Sequence, residues 1–203
     1  MQQNSHTPSS ADLFKKFTLQ NVAQIANISN KEQSRIRAEL AAQYPLLADF
    51  WEDIMPKKVD IMLVRCHDQV FCVTQVCSQP EVLFFRHHSG PYIPHLKLLH
   101  KYPFILPRQQ IDFGGCKYVV SGANVMCPGL TSEGGRITPD IEAGQVVAIH
   151  VERKEHAIAV GRMLMSSEEI EKINSGPGIE NIHHLGDGLW MNRVLSSSHI
   201  GAR

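Results

Sequence analysis

No run of apolar residues in this chain approaches the roughly 20 needed to span a bilayer, and its opening stretch lacks the charged-then-apolar layout of a signal peptide. A soluble, cytoplasmic protein with no membrane partner is therefore expected. Five cysteines, Cys66, Cys72, Cys77, Cys116 and Cys127, follow no C-x-x-C spacing and sit mostly inside apolar runs. They are expected to be reduced and buried. An excess of positive charge is also missing: Lys plus Arg equals Asp plus Glu at 20 each. Residues 11–102 carry 11 basic against 9 acidic side chains, and residues 103–191 carry 7 against 11. A protein holding nucleic acid by bulk phosphate attraction would be basic, so any RNA contact has to use a local site or a partner that brings charge.

Catalytic and metal signatures are absent as well. No G-x-S-x-G, G-x-x-x-x-G-K-[ST] or G-x-G-x-x-G occurs between a strand and a helix, which removes support for hydrolase, nucleotide and dinucleotide readings. Histidines cluster at Cys66 with His67, at His87 with His88 and at His183 with His184. Neighbours on a strand point to opposite faces, and no zinc-like spacing occurs, so no metal, cofactor or catalytic residue is assigned. Cys127 falls near the end of the short helix expected there, the wrong end to lower a thiol pKa, and reads as buried packing. Asp112, Glu142 and Asp187 read as turn or surface carboxylates.

What is present reads as two domains in order. Residues 1–12 form a Gln-, Ser- and Pro-rich tail expected to be flexible. Asn30 with Gln33 resembles a capping box, and Ile36, Leu40 and Tyr44 recur at helical spacing until Pro45. Leu47, Phe50, Trp51 and Ile54 repeat that pattern up to Pro56, with Trp51 expected in the core. Period-two segments at 59–66, 70–76 and 82–86 then predict an antiparallel meander. Pro94 is expected to open a short helix carrying Leu96, Leu98 and Leu99, and Pro103 and Pro107 to fence a strand-like 104–106. This gives an N-terminal α/β domain over 13–100.

Residues 101–191 form the second domain. A strand is expected over 110–121, a hairpin from 145–151 and 157–165, and a helix capped by Ser166 and Glu169 and ended by Asn174 and Gly176. A strand at 179–185 and a turn at Asp187 and Gly188 follow. Short strands with few helices predict a small, partly closed β barrel, so the fold class is α+β. The Ser-rich stretch 192–203 is expected to be a second mobile tail.

The stretch 117–130, K-Y-V-V-S-G-A-N-V-M-C-P-G-L, is the most informative. Residues 117–120 suit a strand, and small residues follow where a backbone can be approached closely. A strand running through glycine into a short helix presents unpaired N–H groups that suit phosphate or sugar oxygens. The same pattern also describes an ordinary packing turn.

Residues 121–132, S-G-A-N-V-M-C-P-G-L-T-S, and 178–190, G-I-E-N-I-H-H-L-G-D-G-L-W, resemble a PUA domain, an RNA-binding module. With F-K-K-F at 14–17, M-P-K-K at 55–58, V-R-C-H at 64–67 and L-L-H-K-Y-P-F-I-L-P at 98–107, the chain resembles the malignant T-cell-amplified sequence family of translation regulators over residues 13–190. The resemblance implies a non-catalytic protein with a C-terminal PUA pseudo-barrel. It implies a heterodimer with a density-regulated-protein homologue, acting on the small ribosomal subunit in reinitiation and in tRNA release during recycling. Carried over by position, the RNA-binding residues would be Lys117, Gly122, Ala123, Asn124, Met126, Pro128, Gly129, Asn181 and His183, meeting tRNA or rRNA. Small residues would admit an RNA backbone or a tRNA acceptor end, and Met126 is open between base packing and barrel core. Lys15, Lys16, Lys57 and Lys58 are candidate ribosome contacts. Family members carry Lys-Gly-Ala where this chain has Phe113, Gly114 and Gly115, and Pro-Gly-Ala where it has Glu133, Gly134 and Gly135, which implies weaker direct RNA affinity. An RNA-modification accessory subunit and a protein-interaction scaffold are the alternatives.

Overall fold

A computed structural model describes residues 14–77, 80–192 and 195 of the chain. The tails expected at 1–12 and 192–203 lie outside the described residues except for Asn192 and Leu195; Leu195 is buried, and its N–H donates to the Pro80 carbonyl at 3.0 Å. Two compact units form: Thr18–Leu106 makes one, and Pro107–Trp190 joined by residues 14–17 makes the other.

In the first unit the expected meander is present as β2 (Ile61–Cys66), β3 (Val70–Gln75) and β4 (Val82–His87), extended by β1 (Val22–Asn27) and β5 (Ile93–Pro94) into a five-stranded antiparallel sheet in sequence order. The strand β1 was not legible because no face of it is buried and a register shift between Val22 and Gln24 breaks its alternation. The helix α1 (Asn30–Gln43) is capped by Ser29, whose Oγ accepts from the Glu32 N–H at 3.3 Å. Gln33 is thereby free to accept from the Ile61 N–H at 3.1 Å and donate to Asp60 Oδ1 at 3.1 Å, tying the helix start to β2. Leu47 to Ile54 is not one helix but a 3-10 turn (Pro45–Phe50) followed by α2 (Trp51–Ile54). Trp51 is only half-buried, tilted 6.1 Å from the Phe84 ring, and marks the edge of the core.

Pro94 lies in β5 and does not open the next helix: α3 (Leu96–Lys101) is capped by His95, whose Nδ1 accepts from the Lys97 N–H. Residues 104–106 do not form the expected strand, since Pro103 starts a 3-10 turn (Pro103–Ile105). Arg37 donates to the carbonyls of Met55, Pro56 and Val59, fixing the turn on which Lys57 and Lys58 stand exposed.

The second unit is a curled sheet in the order β6 (Arg108–Ile111), β8 (Val146–Val151), β9 (Ala159–Met163), β10 (Pro177–His184) and β7 (Val125–Met126). Only the pair of β6 with β8 is parallel. Ile111, Val119, Val125, Leu130, Val147 and Ile149 are among the side chains in its core. The hairpin of β8 and β9 stands as expected. So does the helix after Ser166 (Ser167–Ile173), with both capping-box hydrogen bonds formed and Asn174 in the left-handed region at its end.

The strand expected over 110–121 stops at Ile111. Asp112 Oδ1 accepts from the Gly115 N–H at 3.0 Å and starts a 3-10 turn (Phe113–Gly115) that runs into α4 (Cys116–Val119). Val119 is buried and Lys117 and Tyr118 are exposed, a helical division that overrides the strand propensity of Tyr and Val. Pro128 opens α5 (Cys127–Thr131) instead of ending a helix, so Cys127 stands at the start of a helix. Its thiol is nonetheless buried, and burial pushes its pKa up, so it packs as expected for a different reason. Cys66 and Cys72 are likewise buried, whereas Cys77 is exposed.

The segment 14–17 is part of this second unit. Phe14 and Phe17 are 1% and 4% exposed, and the Phe14 ring meets His183 edge-on at 6.2 Å. Gly188 makes this docking possible, because a Cβ there would lie 2.1 Å from the Phe17 carbonyl oxygen.

Candidate functional site

The strands β6 and β7 are the two ends of the curled sheet, and the curl brings both to one open pocket of about 680 Å³. Gly114 and Gly115 line it beyond β6, Tyr118 and Val119 from α4, Ala123 and Asn124 from the turn that follows, Met126 from β7 and Pro177 from β10. The wall between α4 and β7 depends on Gly122. Its φ of 93° closes the turn, and a Cβ there would come 3.3 Å from His184 Nε2 and 3.9 Å from Lys15 Cδ.

Asn181 holds the same turn from inside. Its Nδ2 donates to the carbonyls of Val119 at 2.8 Å and Ala123 at 3.1 Å, and its backbone N–H donates to Asn124 Oδ1 at 3.0 Å. Two residues on, His183 Nδ1 donates to Asp187 Oδ2 at 2.7 Å within the interior, and Asp187 also accepts from the N–H groups of His184 and Trp190. Burial raises the pKa of the Asp187 carboxyl, but the pull of His183 and these hydrogen bonds outweigh it and hold the group below the usual carboxylate range. Asp187 is therefore a turn carboxylate, as expected, but a buried structural one and not a surface group, and Glu142 is exposed.

Of the residues nominated from the sequence, Ala123, Asn124, Met126 and Gly129 line the pocket. Pro128 is exposed nearby, and Lys117 places its ammonium 4.9 Å from the Tyr118 ring centroid. Met126 is 50% exposed and so is not barrel core. Asn181 and His183 are both 0% exposed, so neither can offer its side chain to a ligand. They shape the site from behind. Lys15 and Lys16 are exposed on the docked segment of this unit, whereas Lys57 and Lys58 belong to the other.

Two aromatic rings were not nominated as contacts. Tyr118 is 57% exposed on the pocket wall, and Phe113 is 60% exposed next to Gly114 with the Lys154 ammonium 5.9 Å from its ring. Tyr118 was hidden by the strand reading of 117–120; the helical grouping of Cys116, Val119 and Val120 was the signal that could have found it. Among the described residues Asp112 is the only charged one lining the pocket, and one of its oxygens already caps the turn after β6. Such a surface accepts a planar ring or a sugar better than a phosphate. Among the described residues no group of three or more His, Cys, Asp or Glu side chains could hold a metal ion, and no helix is long and apolar enough to cross a membrane.

A helix-flanked antiparallel sheet followed by a curled half-barrel with a pocket at its seam defines the architecture of a PUA protein with a preceding α/β domain. Residues 14–103 match the Pre-PUA-like domain and residues 107–185 the PUA domain. The chain belongs to the malignant T-cell-amplified sequence family. It is 49% identical over 179 residues to malignant T-cell-amplified sequence 1 of Danio rerio, covering 88% of this chain and 97% of the relative. It is 48% identical over 179 residues to malignant T-cell-amplified sequence 2 of Homo sapiens, with the same coverage. To translation machinery-associated protein 20 of Saccharomyces cerevisiae it is 44% identical over 181 residues, covering 88% and 97%. A hypothetical protein of Pyrococcus horikoshii shares the fold with a TM-score of 0.64 at 21% identity, covering 83% of this chain and 98% of that one. A PUA domain protein of Aeropyrum pernix crystallised with tartrate gives 0.60 at 22%, covering 82% and 89%.

Proposed function

We propose that this chain is a non-catalytic, cytoplasmic translation factor that works without a cofactor, in a heterodimer with a density-regulated-protein homologue. The pair acts on the small ribosomal subunit in reinitiation and in the release of tRNA during recycling. The seam pocket of the PUA unit contacts tRNA or rRNA. Family membership supports this reading, as does the name of the yeast relative, a translation machinery-associated protein.

The observation that carries the RNA contact is the seam pocket itself, with glycines in its lining and Tyr118 and Met126 exposed beside them. Its apolar character favours an unpaired base or ribose over a duplex backbone. A stacked base contributes about 1–3 kcal/mol, so Tyr118→Ala should weaken binding of a short single-stranded RNA about fivefold or more while the fold is kept. Fluorescence anisotropy measures the first and thermal melting the second. Sedimentation of the tagged protein with small subunits, with and without the partner, tests the wider role: absence from those fractions in both cases would sink it.

A further inference from the structure

Among the described residues no cation lines the seam pocket, yet an RNA strand that places a base there must bring its phosphates to the rim. A cation from an unexpected part of the chain lies near that rim, beside the turn at Gly122. We propose that Lys15 is an RNA-phosphate contact of the PUA unit, not a contact of the N-terminal domain in which the sequence places it. This rests on the reading of the pocket as an RNA site.

Three observations support the placement. Lys15 lies between Phe14 and Phe17, which are both buried within the second unit, so its backbone is pinned on either side while its own side chain is exposed. Its stem passes the turn after α4: Cδ is 3.9 Å from the position a Cβ would take on Gly122, and the ammonium is two bonds further on. Ala123 and Asn124, the next two residues, line the pocket. On the same helix-turn segment Lys117 stands over Tyr118, so two cations flank the short path from α4 to the pocket wall. Gly122 is thus small for a second reason besides its backbone angle. A side chain there would push between the Lys15 stem and the buried His184 ring.

A pinned lysine loses less side-chain and backbone freedom on meeting a phosphate than one on a free tail would. Each phosphate contact to a single strand contributes about −0.7 to the slope of log affinity against log salt. The test uses the full chain and a short single-stranded RNA oligonucleotide, titrated across a series of monovalent salt concentrations. Lys15→Gln should lower affinity about three- to tenfold at low salt and make the slope shallower by about 0.7. Lys15→Arg should retain both, and Lys172→Gln, on the helix Ser167–Ile173, should leave both unchanged with melting temperatures equal throughout. If Lys15→Gln keeps the native affinity and slope while Tyr118→Ala weakens binding, the assignment of Lys15 is wrong and the pocket reading stands. If the native chain holds no RNA at any salt concentration, both fall together.

Discussion

A carboxylate enclosed in a protein interior must be matched by donors, and Asp187 has three in His183, His184 and Trp190. Removing it leaves the His183 ring and two backbone N–H groups without their acceptor and deprives the helix Gly188–Met191 of its cap. Asp187→Ala should therefore lower the unfolding free energy by about 3 kcal/mol at neutral pH, measured by urea denaturation. The pH dependence has a definite sign. Because the folded carboxyl ionises below its usual value of about 3.9, its contribution is fully present above that pH and is lost as pH falls through the lower folded value. The gap between native protein and variant should close in that acid range, and a gap that stays constant would show that Asp187 does not carry the charge. Nothing in the sequence distinguishes this Asp from a turn residue. Asp-Gly is a turn signal wherever it occurs, and the burial of this one comes with long-range packing of its neighbours His183 and Gly188 against residues 14–17.

At the scale of elements, the site is a turn held by a strand. Asn181 on β10 holds the turn from residue 119 to residue 124 in the shape that forms the pocket wall. With Ala at 181, two carbonyls lose a buried donor, so Asn181→Ala should cost about 2 kcal/mol of stability. The same variant should weaken RNA binding several-fold although residue 181 is buried. A stability loss without a binding loss would show that the turn keeps its shape unaided. This division explains what could be read in advance. The helix Ser167–Ile173 was legible because its cap, its apolar face and its stop all lie within ten residues of one another. The helix α4 was not, because its start depends on Asp112 capping a turn through glycines, and its local Tyr and Val favour a strand. The glycines and Met126 of the site were visible as small or unusual residues, whereas the roles of Asn181 and Tyr118 depend on partners or neighbours that only the fold supplies.

For the whole molecule, the charge count changes when residues are assigned by contact instead of by sequence order. With Lys15 and Lys16 included, residues 14–17 and 107–190 carry nine basic against eleven acidic side chains, in place of seven against eleven. The PUA unit is thus close to neutral, and a docked segment brings Lys15 beside the turn that walls its pocket. The first unit keeps its own basic turn, fixed by Arg37 through three carbonyls and presenting Lys57 and Lys58 to solvent. If the first unit meets the small subunit through Lys57 and Lys58 while the PUA unit meets RNA at its pocket, the two contacts should separate by substitution. Lys57→Gln combined with Lys58→Gln should reduce co-sedimentation with small subunits about tenfold at moderate salt, each lost phosphate contact weakening binding about threefold. Binding of the short RNA at the pocket should be unaffected, because neither lysine belongs to that unit. Equal losses in both assays would mean that the units share one RNA surface, and retention of small subunits by the double variant would remove Lys57 and Lys58 from the ribosome contact.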